Sequence, residues 1–308
     1  MMQISDRKSA KYAVKSYYEK ICKPSLKGVQ MFADYYVHTE FSDDSIYLME
    51  DVIRDAVNMN MDEICITDHV DYGVKDDWDS GSEIIYRNGE PLANVDYPSY
   101  MDKIQFLKRK YAGKIRIKTG MEFGVQTHTI PQFEDLFSRY PFDFIILSVH
   151  QVENKEFWTQ EFQKGRTQKE YNERYYEEML SLVKHYKNYS VLGHMDLIKR
   201  YDKKGEYPFE KVKPIIEDIL KIVIADGKGI EMNTSAKRYG LKDTMPSREI
   251  LRLYRELGGE IITIGSDSHK PDQLGYGILE AQKILKDIGF QKICTFEKMN
   301  PVMHELWV

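Results

Sequence analysis

Eight short apolar runs, separated by helix-like stretches, limit the fold of this chain more than any other feature. They fall at residues 33–38, 63–67, 115–120, 143–149, 190–193, 229–233, 260–265 and 291–296. Several are near-continuous in Val, Ile, Leu and Phe rather than alternating, which is the pattern of parallel strands covered on both faces. Between them lie segments of helical character. Ser45 or Asp44 is placed to cap a helix running through Met59, with Met49, Val52, Ile53 and Ala56 on its inner face. Residues 168–187, 210–225, 247–257 and 277–288 read likewise. Ser247 is the expected cap of the third of these, and Glu249 in its first turn suits the positive end of the helix dipole. Strand–helix alternation of this kind predicts an α/β barrel, whose strand C-termini converge on one face where active sites lie.

Six of the runs end on metal-ligand chemistry. His38 closes the first, Asp68 and His69 follow the second, and Glu122 follows the third. His150 ends the fourth, His194 follows the fifth, and Asp267 and His269 follow the seventh. Five of the eight histidines therefore sit at strand ends beside carboxylates. One such histidine is ordinarily a buried imidazole satisfied by backbone; the joint placement is what points to a metal cluster. His, Asp and Glu without Cys suit zinc, manganese or iron. Two adjacent ions need a bridging carboxylate, and Glu122 is placed for it. His128, His185 and His304 read as surface or core residues, and the many tyrosines as packing.

Bulk properties bound the rest. A chain of 308 residues with 42% apolar content supports one sizeable barrel, and no domain boundary stands out. There is no run of about 18 apolar residues and no secretory signal pattern, so no membrane association is expected. Three scattered cysteines suit a reducing compartment, and the cytoplasm is the expected location. A net charge of -5 argues against nucleic acid. The locally basic stretch is residues 6–27, read within a helical N-terminal extension at 1–31. Two long connections, 70–100 with Asp71, Asp76 and Asp77, and 151–167 with Trp158 and Arg166, follow ligand-bearing strands and are expected to roof the site.

The motif series makes the reading specific. Asp34-Tyr35-Tyr36-Val37-His38-Thr39, Thr67-Asp68-His69, Gly120-Met121-Glu122, Ser148-Val149-His150, Gly193-His194-Met195-Asp196 and Ser266-Asp267-Ser268-His269 stand in order. Glu231-Met232-Asn233-Thr234-Ser235 and Gly275-Tyr276-Gly277 continue it. The series resembles the PHP (polymerase and histidinol phosphatase) superfamily, in its histidinol-phosphate phosphatase branch, over nearly everything after residue 31. The resemblance implies a distorted, TIM-like (β/α)7 barrel at 32–308, with the run at 291–296 peripheral, and two or three divalent ions (Zn, Mn or Fe). By position, one ion takes His38, Glu122 and Asp267. A second shares Glu122 and adds His150 and His194, and a third takes Asp44, His69 and His269.

The implied reaction is hydrolysis of L-histidinol phosphate by attack of a metal-bridging hydroxide, with Asp267 handling the leaving group's proton. Arginine grips phosphate bidentately, and Arg200, Arg166 and Arg238 are the candidates. One departure stands out: the family's first motif is His-x-His, and here it is Tyr36-Val37-His38. A phenol with an ordinary pKa of about 10 ligates only with strong metal assistance. The alternatives are therefore a phosphatase for another small phosphoester, or a phosphate-binding homologue that Tyr36 has disabled. The oligomeric state is left open.

Overall fold

The computed structural model describes residues 30–81, 86–87 and 90–307. The expected basic extension lies, but for its last two residues, outside the described residues. Seven strands form the barrel: β1 (Ala33–Val37), β2 (Glu63–Ile66), β3 (Arg116–Gly124), β4 (Phe144–Ser148), β5 (Val191–Leu192), β6 (Gly229–Asn233) and β7 (Ile262–Gly265). Neighbours in the sheet are neighbours in sequence, and every pairing along this path is parallel. Helices α1 (Met49–Asn58), α2 (Tyr97–Lys110), α3 (Ile130–Arg139), α4 (Gln168–His185), α5 (Phe209–Ala225), α6 (Arg248–Glu256) and α7 (Ile278–Ile288) alternate with them. Every residue of β1, β2, β4, β5, β6 and β7 is buried. That is why these strands read as continuous apolar runs rather than alternating ones.

The seam between β7 and β1 closes the barrel. His38 donates its N–H to Ser268 O at 2.8 Å, and Ser268 donates to Tyr36 O at 3.3 Å. The approach is so tight that a side chain at Gly265 would lie 2.1 Å from the Tyr36 Cβ, so only glycine fits. Asp34, fully buried, stitches the same seam by accepting from Ser266 N at 2.8 Å and Gly275 N at 2.9 Å. This carboxylate holds two chain segments that must meet for His38 and Asp267 to face one another.

The run at 291–296 is peripheral as expected. It forms β8 (Lys292–Glu297), whose strand partner among the described residues is β9 (Asn300–Glu305), in an antiparallel hairpin. Three local expectations need correction. Strand β3 runs on to Gly124, so Glu122 lies inside it; pairing with β4 on one side and with His69–Val70 on the other extends the ladder. Helix α1 starts at Met49, later than a cap at Ser45 would place it. Ser45 Oγ donates instead to His269 O at 3.1 Å, and Glu40 accepts the Met49 N–H. Ser247 stands at the start of α6, yet its hydroxyl makes no cap bond; Asp243 accepts the Arg248 N–H at 3.0 Å.

Candidate metal centre

The C-terminal ends of the barrel strands surround a cavity of about 590 Å³. His38, Glu122, His150, His194, Asp267 and His269 line it, and residues of the two long connections, among them Asp71, Lys75, Leu92, Glu156 and Trp158, wall it in. The roofing role expected of those connections is what the structure places there.

The imidazoles turn their Nε2 atoms toward carboxylates. His150 Nε2 and His194 Nε2 lie 2.9 and 3.1 Å from Glu122 Oε1. His38 Nε2 lies 3.6 Å from both Glu122 Oε2 and Asp267 Oδ1. His69 Nε2 and His269 Nε2 each come within 3.1 Å of Asp44. The register of the sheet sets part of this, since His69 pairs directly across from Glu122. All eight residues expected as ligands line this one cavity. Glu122, His150 and His194 converge as the motif positions imply, whereas His38 and Asp267 converge with His269, and His69 and Asp44 with Asp43.

The opposite ring nitrogens are tied down. His69 Nδ1 and His150 Nδ1 each lie 2.7 Å from Asp71, one on each carboxylate oxygen. His38 Nδ1 is held by Ser42 Oγ at 3.1 Å, and that hydroxyl donates to Asp68. His269 Nδ1 donates to Asp267 O at 3.1 Å. Metal-binding histidines are oriented in this way: one nitrogen donates to a carboxylate or carbonyl, which leaves the other as the ligand. His194 differs, because its buried Nδ1 finds no partner among the described residues. The donor set, rich in imidazole and carboxylate and free of thiolate, fits zinc, manganese or iron.

The electrostatics agree with cation binding. Burial would push the Glu122 and Asp71 carboxyls up, but neighbouring His150, together with Lys75 at Asp71 and His194 at Glu122, holds both well below the usual carboxylate range. His150 is buried, which disfavours its charge, yet Glu122 and Asp71 raise it to about 10. Glu122 and Asp71 thus favour a proton on His150, which an ion bound at the same place would displace, whereas burial pulls the His194 imidazole below its usual range.

By sequence Asp71 is only one of several loop acids, yet the fold sets it between two imidazoles of the cluster. Gly124 makes its position possible, because a side chain there would lie 1.9 Å from Asp71 Oδ1. Asp71→Asn keeps the shape and removes the charge that fixes two imidazoles. It is expected to weaken ion binding roughly tenfold to a hundredfold. A chelator-competition titration checks this, and unchanged affinity would show that the rings need no such anchor. Lys75 completes the group, 2.6 Å from Asp43 and 3.1 Å from Asp71. Glu231 was quoted only as part of a motif. It is fully buried, accepts the His194 N–H at 2.8 Å, and burial pushes its carboxyl well up. A lone acid inside the apolar run 229–233 was the available signal.

The three arginines part ways. Arg200 lines the cavity, 3.4 Å from Asp267 and 2.9 Å from Ser235, with its guanidinium 3.6 Å above the Tyr239 ring. Arg238 is spent on backbone, donating to Ser266 O at 2.8 Å and Asp267 O at 2.7 Å. Arg166 points away from the ligand cluster, to Glu153 at 2.7 Å and to the Phe162 carbonyl. Nearby acid and carbonyl groups in its own loop capture it. Of the histidines set aside, His128 bonds Asn154, His185 bonds the Ser181 carbonyl of its own helix, and His304 bonds Thr295 in the hairpin.

Comparison with known proteins adds to this geometry. A model of the PHP domain family matches residues 34–235. The chain is 29% identical over 273 residues to a histidinol-phosphatase of Lactococcus lactis, covering 87% of this chain and 95% of that protein. A probable histidinol-phosphatase of Clostridium acetobutylicum is 29% identical over 274 residues, covering 87% and 98%. The crystal structure of the Lactococcus lactis histidinol phosphate phosphatase, complexed with Zn, L-histidinol and phosphate, matches with a TM-score of 0.76 at 28% identity, covering 88% of this chain and 98% of that one.

Proposed function

The chain belongs to the PHP domain family, and from that premise we propose that it is a metal-dependent phosphomonoesterase that hydrolyses L-histidinol phosphate to L-histidinol and phosphate. The observation that carries this reading is the match to the Lactococcus lactis enzyme over 88% of this chain and 98% of that one, in a structure complexed with Zn, L-histidinol and phosphate. The convergent imidazole and carboxylate cluster of this chain is what such chemistry requires.

His38, Asp44, His69, Glu122, His150, His194, Asp267 and His269 are the residues that would hold the two or three divalent ions. When bound, such ions supply a nucleophile at neutral pH and neutralise charge on the phosphoryl oxygens. The protein's own contribution starts with Arg200, whose charge faces the cavity beside Asp267 and grips the phosphoryl group there. Arg238 fixes the Asp267 backbone, which holds a left-handed conformation at φ +55°. Although burial opposes it, His38, His269 and Arg200 hold the Asp267 carboxyl well below its usual range. Asp267 therefore enters the reaction ionised, and can pass a proton to the departing alkoxide only after taking one up. Arg166 is bonded to Glu153 and does not line the cavity, so Arg200 is the arginine this reading assigns to phosphate.

The test is steady-state phosphate release from L-histidinol phosphate by the metal-loaded chain, beside a panel of other small phosphomonoesters. Turnover of at least about one per second, selective for histidinol phosphate and lost on chelation, is the expected result. Preference for another phosphoester would overturn the substrate and keep the chemistry.

A further inference from the structure

Tyr36 and His38 are two residues apart on β1, so their side chains leave the same face of the strand and enter the same cluster. Tyr36 is 1% exposed. Its hydroxyl donates to Glu122 Oε1 and lies 3.0 Å from His194 Nε2. Glu122 Oε1 also faces Ser148 Oγ at 2.6 Å, His150 Nε2 at 2.9 Å and His194 Nε2 at 3.1 Å. The phenol is thus inserted among the donors Glu122, His150 and His194, which could otherwise converge on one ion.

An ion held by these groups needs ligand atoms at about 2.0–2.2 Å. The Tyr36 hydroxyl bonds Glu122 Oε1 and faces His194 Nε2 at 3.0 Å, so an ion approaching both atoms from that side collides with it or is ligated by it. The ring has no escape. Its Cβ abuts Gly265 at the barrel seam, and its face meets His38 at 5.2 Å and His194 at 5.9 Å between ring centres. The phenol acts here as a donor to Glu122 and uses the lone pair that an ion would need.

We infer that Tyr36 closes the Glu122–His150–His194 position to metal, so that of the three groups left this chain carries ions at His38–Asp267–His269 and at the Asp43–Asp44–His69 corner, while Asp71 of the His69–Asp71–His150 group stays engaged by both imidazoles and by Lys75. Glu122 then serves the first of these through Oε2 rather than bridging two ions. His150 and His194 become polar walls of the cavity that face Glu122 and the substrate.

This inference rests on the metal-dependent reading above, yet its test reads metal content rather than turnover. The full chain is stripped with chelator, titrated with Zn²⁺ by calorimetry, desalted and assayed for metal by mass spectrometry. Tyr36→His and Tyr36→Phe are treated identically, with circular dichroism to confirm folding. The expected result is two ions per wild-type chain with no tyrosinate band in the ultraviolet difference spectrum, and one further ion in both variants. Three ions in the wild type, or the same count in all three proteins, would overturn the inference. A tyrosinate band that grows with added Zn²⁺ would also overturn it, by making Tyr36 a ligand. The wild-type count and spectrum decide the question even if a variant fails to fold. Phosphate release measured on the same samples reports separately on the substrate.

Discussion

Glu122→Gln is expected to lower kcat/KM for L-histidinol phosphate by between roughly a hundredfold and several thousandfold, and to lower the metal content of the purified chain. Glu122 is buried at 1% exposure, and one of its oxygens collects Tyr36, Ser148, His150 and His194 while the other faces His38. Losing one preorganised charge from a water-excluded site costs about 3–4 kcal/mol of transition-state stabilisation, and the buried imidazoles it leaves uncompensated add to the loss. At about 1.4 kcal/mol per factor of ten in rate, that loss gives the stated range. Glutamine preserves volume and the Tyr36 contact, so the fold should survive, which circular dichroism and thermal melting will show. The effect also distinguishes hub from ligand. If excess Zn²⁺ restores full rate, Glu122 only tunes affinity; if metal content recovers and rate does not, its charge is needed during turnover. Unchanged kcat/KM and metal content would remove Glu122 from the centre of the site.

What the sequence made visible follows from where each residue's position is decided. The candidate ligands His38, His69, His150, His194 and Asp267 sit at the ends of apolar runs. A parallel barrel brings such ends to one face whatever the details of packing, so local pattern alone places them. Glu122 was legible too, although its strand proved longer, because the extra ladder comes from pairing with His69–Val70 across a loop whose path has no period. Asp71 was hidden by the same irregularity: its role exists only because Gly124, far along the chain, leaves the space it fills. Ser45 was misread as a helix cap because its competing acceptor, the His269 carbonyl, arrives from the other end of the chain. The motif could show that Tyr36 replaces an expected imidazole, but not that its hydroxyl reaches Glu122 and His194. That depends on the length of a phenol entering from a fixed strand face.

The arginines give the second large effect, and they were equivalent on the page of sequence. Arg200→Met is expected to reduce kcat/KM by roughly thirtyfold to a few thousandfold, the cost of about 2–5 kcal/mol for truncating one member of a desolvated charge pair. Its guanidinium is 8% exposed, lies 3.4 Å from Asp267 and stacks on Tyr239 at the cavity wall, so methionine retains the packing and loses only the charge and the donors. Inhibition by inorganic phosphate should weaken in parallel, because the contact is to the phosphoryl group rather than to the alcohol. Arg200→Lys should recover little, since one ammonium reproduces neither the paired donors nor the stacked plane. Arg166→Met should leave kcat/KM within about twofold, as expected for a surface ion pair with Glu153. Arg238→Met falls between them and acts on kcat rather than on phosphate inhibition, because its guanidinium holds the Ser266 and Asp267 carbonyls. Equal losses in the Arg166 and Arg200 variants would mean that the loop at 151–167 closes over bound substrate and swings Arg166 from Glu153 into the cavity. A loss confined to Arg200, with phosphate inhibition moving by the same factor, assigns it the phosphoryl group.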